Sequence, residues 1–311
     1  MRTQLEWKRI LIFLLFAFGI AWSVAGVLYG MGGLAKSPML IPSLKISWAL
    51  VLIAVVYMPA PALAHVATRW ITGEGWSIPS LRLNLRRAWR YYLLAWIVVP
   101  LLATLLGSGV FFALYPQYFD PSLTTIRQMV EQSAPGTQLP PSIVLVSLSL
   151  VQGILLGGII NSPFTFGEEF GWRGYLQEKL MPLGWRRAMV VMGVVWGIWH
   201  WPIIAMGHNY GLDYPGYPWT GMLAMVWFCF IVGTFLGWVR LKSGSVWPAV
   251  VGHAAINAIA GAGALVVTGN PNPLLGPLAT GVIAGSVWAI LAIWLWSRRQ
   301  NDAIVESEAS Q

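Results

Sequence analysis
The sequence predicts an all-α fold, a polytopic transmembrane helical bundle of about eight helices, and three observations predict it. Of its 311 residues 57% are hydrophobic and only 10% charged, against roughly half apolar and a quarter charged in soluble domains. The apolar residues come in blocks close to the roughly 20 residues that cross a bilayer as a helix. The Lys and Arg residues sit in short clusters between those blocks, the pattern of topology signals. This placement of the net charge of +8 argues against nucleic acid as a partner and for the lipid bilayer.

In chain order the blocks run over residues 10–30, 46–67, 91–114, 143 to beyond 162, 188–206, 219–239, 245–267 and 277–296. The first follows Arg2, Lys8 and Arg9 as a signal peptide would. It is longer than a signal core and lacks a small-x-small cleavage site followed by polar sequence, so a retained helix is expected. Eight crossings put both termini on one side. With that side cytoplasmic, sixteen basic residues, including Arg2, Arg9, Arg82, Arg86, Arg87, Arg90, Lys179, Arg187, Arg240 and Lys242, fall inside. Only Lys36, Lys45 and Arg127 fall outside, which accounts for all 19. Residues 1–299 read as one integral membrane domain with a motif core over 143–267, and residues 300–311, polar and acidic, as a disordered cytoplasmic tail. The outer loop over 115–141 has room for a short interfacial helix near residues 122–133. Gly233 with Gly237, and Gly281 with Gly285, have the small-residue spacing of close helix packing, within the chain or between copies. The single cysteine, Cys229, has no partner for an intrachain disulfide and no base predicted beside it.

Of the 11 acidic residues, Glu168 and Glu169 stand apart, as an adjacent pair in the inner part of the fourth block. Ionisable groups at membrane depth usually face a bundle interior and mark function. The structural alternative, an i, i+4 clamp between Glu169 and Arg173, suits Glu169. It leaves Glu168 unexplained, because adjacent helical side chains point about 100° apart. The basic clusters serve as a depth ruler. Glu168 lies 11 residues before Lys179, His200 lies 13 after Arg187 and His253 lies 11 after Lys242. At about 1.5 Å per residue all three fall roughly 16–20 Å from their markers, in one layer. Asn257 follows His253 by one turn and shares its face. A lone histidine in a helix is more often packing than chemistry, and His65 and His208, which lack such company, are read as interfacial or structural.

Glu168-Glu169-Phe170-Gly171-Trp172-Arg173 reads EExxxR, Trp196 to His200 reads WxxxH, and His253 to Asn257 reads HxxxN. In this order, on hydrophobic helices, they resemble the CAAX prenyl protease and bacteriocin-processing (CPBP, Abi) family of type II CAAX endopeptidases. Trp196 departs from the phenylalanine most often found there. The resemblance implies intramembrane peptide-bond hydrolysis of a membrane-embedded or lipidated peptide or protein, with Glu168 as the base that takes a proton from water. His200 would orient that water, His253 and Asn257 would supply oxyanion donors, and Glu169 with Arg173 would give structural support. It also implies two routes. In one no cofactor is needed; in the other Glu168, His200 and His253 ligate zinc. The first is preferred, because HExxH is absent and Glu169, committed to Arg173, would be the sole remaining base. A transporter with a proton path and a non-catalytic immunity scaffold are the alternatives outside enzymology. Substrate identity and oligomeric state are not encoded in any motif.

Overall fold
A computed structural model describes residues 4–298; the acidic tail over 300–311, together with Arg2 and Arg299, lies outside the described residues. The fold is all-α, and the one sheet among the described residues is a short antiparallel pair, Met39–Ile41 with Ile46–Ser47, in the loop between the first two long helices. Among the described residues six helices are long and apolar enough to cross a membrane: α1 (Trp7–Gly30), α2 (Trp48–Ile71), α3 (Leu85–Leu114), α4 (Ser142–Leu183), α6 (Trp219–Ser243) and Trp247–Val266, whose α-helical part is α7 (Trp247–Ile259). Two shorter helices, α5 (Trp185–Trp199) and α8 (Ser286–Ser297), complete the eight blocks. The chain is therefore a multi-pass integral membrane protein.

On α1 the buried residues Ile10, Phe13, Ala17, Ala21, Val24 and Leu28 recur every three to four positions and make one packed stripe. Leu11, Leu15 and Val27 on the other face are exposed, which is stable only against lipid. α6 is enclosed on most sides and forms the centre of the bundle. Its Gly233 and Gly237 give room to neighbours in the same chain: a Cβ at Gly233 would sit 3.2 Å from Arg173 Nη2, and one at Gly237 would sit 2.7 Å from Met189 Sδ. The small-residue spacing serves internal packing there.

α4 runs 42 residues, about 63 Å at helical rise against a hydrocarbon core of about 30 Å. It continues through Pro163 and past Glu168, and contains π turns at Gly153–Gly157 and Trp172–Leu176. Two blocks differ from expectation. The fifth is broken at His200, between α5 and a four-residue helix, Trp201–Ile204. Pro202 has no N–H to offer the Ile198 carbonyl four residues back, and the Trp199 carbonyl next to it accepts from Tyr57 Oη at 2.6 Å and Trp22 Nε1 at 3.2 Å. The eighth begins at Ser286 instead of Pro277. Residues 277–285 form turns pressed onto α3, where a Cβ at Gly107 would fall 1.8 Å from the Ala284 oxygen. Ser108 Oγ donates to the Pro277 carbonyl at 2.9 Å. Non-helical backbone at membrane depth persists where protein, not lipid, surrounds it.

Both described ends gather at one face. Glu6 meets Lys179 at 2.8 Å, and Trp296 Nε1 donates to the Arg186 carbonyl at 3.1 Å. Lys179 also bonds Glu74 at 2.6 Å, and Tyr175 Oη donates to Glu74 at 2.9 Å. Burial disfavours the Glu74 carboxylate, but Lys179, Tyr175 and Arg69 outweigh it and hold its pKa below the ordinary glutamate value.

Candidate functional site
Three helices bring Glu168, Glu169, Arg173, Trp196, His200 and His253 into one cluster. On α4, Gly167 and Gly171 allow the backbone of the glutamate turn to lie directly on α2, since Cβ atoms there would approach Pro59 Cα to 2.7 Å and the Pro61 backbone to 2.4 Å. Glu168 (3% exposed) and Glu169 (0%) are thereby buried within the bundle.

The two carboxylates have different partners. Glu168 Oε2 accepts from the Trp196 indole Nε1 at 2.9 Å. Glu169 Oε1 accepts from Arg173 Nη1 at 2.9 Å, the clamp the spacing implied, and faces His253 Nδ1 at 2.9 Å. The Arg173 guanidinium lies over the Trp196 ring, 4.4 Å from its centroid, a favourable cation–π placement in a desolvated setting. Trp196 also contacts His253 edge-on at 5.3 Å and His200 at 5.8 Å. It is the hub of the site, a role that its place in WxxxH signals only as an aromatic. A phenylalanine could not donate to Glu168.

His200 sits where α5 breaks, and its Nδ1 lies 2.7 Å from the Trp196 carbonyl. A carbonyl only accepts, so Nδ1 carries hydrogen and Nε2 presents a lone pair. Cys229 Sγ lies 3.8 Å from the same Nδ1. The expectation of no base near Cys229 is corrected in position but not in chemistry, because an Nδ1 that donates to a carbonyl cannot take the thiol proton. Asn257 stands one turn beyond His253 on α7; its side chain is exposed and makes no hydrogen bond within the cluster. Among the described residues no three His, Cys, Asp or Glu side chains converge as a metal would require. Trp196 engages Glu168 Oε2, while a carbonyl and Glu169 engage the Nδ1 atoms of His200 and His253; this leaves Glu168 Oε1 and the two Nε2 atoms as the groups that would meet a water or an ion, since a histidine held at one nitrogen presents the other.

Sequence reasoning missed two residues. His65 on α2 is fully buried, not interfacial: its ring stacks on Phe170 and Tyr175 at 4.3 and 4.5 Å, and its Nδ1 bonds the Phe170 carbonyl at 3.0 Å. Tyr57 braces the residue before His200. Both contacts are long-range, and neither lies in a local motif. His208 is half-buried in the turn after the broken helix.

The fold and cluster define a class: a helical membrane protein with a carboxylate–imidazole–indole site closed off inside the bundle. Within that class, residues 144–259 match the family described as Type II CAAX prenyl endopeptidase Rce1-like. The span includes each residue of the EExxxR, WxxxH and HxxxN motifs, so the resemblance read from them holds over that segment. The chain is also 30% identical over 144 residues to CAAX prenyl protease 2 of Methanococcus maripaludis, an alignment covering 38% of this chain and 52% of the relative. The chain thus spans about half the length of the curated relative it matches.

Proposed function
We propose that this protein is an intramembrane endopeptidase that hydrolyses a peptide bond of a membrane-associated or prenylated substrate, with Glu168 activating the water. The observation that carries the reading is the asymmetric treatment of the glutamate pair. Glu169 Oε1 is engaged by the charged Arg173 and by His253, its Oε2 being buried without a partner, whereas Glu168 is held only through Oε2 by the neutral Trp196 indole, leaving Oε1 for a water.

In this mechanism Glu168 takes a proton from water as the oxygen attacks the substrate carbonyl carbon. His200, with its Nε2 lone pair, orients the same water. Glu168 then returns the proton to the departing amine as the C–N bond breaks. His253, oriented by the contact of its Nδ1 with Glu169, is the first oxyanion donor of this scheme. Asn257, exposed one turn further along α7, is the second, neutral donor of this scheme and would be fixed by the substrate itself. No ion takes part in this scheme, and both ends of the chain lie on the cytoplasmic side.

The test is mass spectrometry of membrane-embedded and prenylated peptides incubated with detergent-purified protein. Wild type should cut and Glu168→Gln should not. Equal cleavage by both would remove the mechanism, and a wild type inert towards every peptide would remove the function.

A further inference from the structure
α2 contributes no motif residue, yet it grips the glutamate turn at three points. Pro59 and Pro61 back onto Gly167 and Gly171, so close that no side chain fits between. The third contact is polar: His65 Nδ1 meets the carbonyl of Phe170, the residue after Glu169, just where α4 changes from α to π geometry at Trp172.

A buried histidine with both nitrogens satisfied is commonly structural, and His65 is satisfied on both sides. Arg69 Nε donates to its Nε2 at 2.8 Å. Arginine has donors only, so Nε2 must accept, which leaves the hydrogen on Nδ1, pointing at Phe170. Arg69 is anchored in turn by the Gly75 carbonyl, with Glu74 Oε1 4.0 Å away. A continuous polar chain therefore leads from the rim, through Arg69 and His65, to the peptide that follows the two glutamates. Side-chain bonding to a helix carbonyl at an α-to-π step sets where the ladder shifts, and π turns in helices often mark functional sites.

We propose that His65 is a positioning residue for the reaction: its Nδ1–H bond to the Phe170 carbonyl sets the register of the glutamate turn, and Arg69 fixes the tautomer that makes the bond. This rests on the peptidase reading above. A slip of this turn misaims Glu168, and misplacement by about 1 Å can cost on the order of 10² in rate.

His65→Phe keeps the ring and its stacking but loses the donor, whereas His65→Asn restores a donor near the Nδ1 position. On purified, folded protein we expect kcat to fall by between about tenfold and 10²-fold in His65→Phe. KM should change little, and His65→Asn should recover most of the loss. Arg69→Met, nearer the rim and safer for folding, should lower kcat in the same way, with Arg69→Lys milder. Unchanged kcat in both His65→Phe and Arg69→Met would overturn the proposal, as would a His65→Asn enzyme no better than His65→Phe. Hydrogen exchange of the peptide over residues 168–176 reads the same bond without a substrate. Exchange should quicken in His65→Phe and slow again in His65→Asn, and unchanged exchange would overturn the proposal even if wild type cleaved nothing. A silent wild type with the expected exchange pattern would instead condemn the peptidase reading alone.

Discussion
Trp196 shows how one side chain can hold a site together: its indole bonds Glu168, its face carries Arg173, and its edge meets His253. Trp196→Phe preserves ring packing and deletes the hydrogen bond to Glu168. A bond to a charged group contributes about 1.5–3 kcal/mol, so kcat should drop by about ten- to a hundredfold while the melting temperature moves little. A kcat equal to wild type would mean that Glu168 is aimed by something else. His200→Ala should abolish turnover at near-normal folded yield. Glu169→Gln should depress yield, because Arg173, 1% exposed, is left as an unpaired buried charge at a cost of roughly 3–5 kcal/mol. Normal yield with lost turnover would place Glu169 with the reacting groups. The metal question belongs at this scale too. Protein stripped with a strong chelator and verified metal-free should keep most of its activity, and Asn257→Ala should then lose about 10² to 10³ in kcat. Activity lost on stripping and restored by one equivalent of zinc would make Glu168, His200 and His253 ligands.

At the scale of helices, the sequence was most informative where a side chain and its partner share one helix, or where charge marks a membrane face. The Glu169–Arg173 clamp follows from i, i+4 spacing, and the clustering of Glu168, His200 and His253 around Trp196 agrees with the one layer that counting to basic residues predicts. The grip of α2 on the glutamate turn was not legible, because Phe170 and His65 are 105 positions apart and no local periodicity couples them. Nor was the late start of α8: its apolar composition suits a helix, and only the close approach of Ala284 to Gly107 shows why residues 277–285 turn instead. The link among the inner ends of α1, α2 and α4 gives an acid test. Glu74 has a lowered folded pKa, so its contribution to stability is full above the unfolded value and disappears as pH falls through the folded one. Thermal stability should therefore decline on the acid side of the ordinary glutamate range. Glu74→Gln should be less stable at neutral pH and show a shallower acid decline. An unchanged profile would assign the decline to other carboxylates.

For the whole molecule, the orientation argument combines charge with contact. Glu6 at the start of α1 touches Lys179, and Trp296 near the end of α8 touches Arg186, so the two described ends share a face with the basic turn between α4 and α5. The positive-inside bias predicts a cytoplasmic position for that face. Reporter tags after Gln311 and within the Arg82–Arg90 stretch should both read cytoplasmic, and a tag near Asp213 should read the opposite side. Under that prediction α4 runs inwards while α5 and α7 run outwards, and Glu168, His200 and His253 meet only if α4 opposes the other two. A cytoplasmic reading at Asp213 together with the opposite reading at Gln311 would invert the molecule and turn the face that carries Glu6 and Lys179 to the outside. Opposite readings for tags at the two ends would require an odd number of crossings and would break the bundle described here.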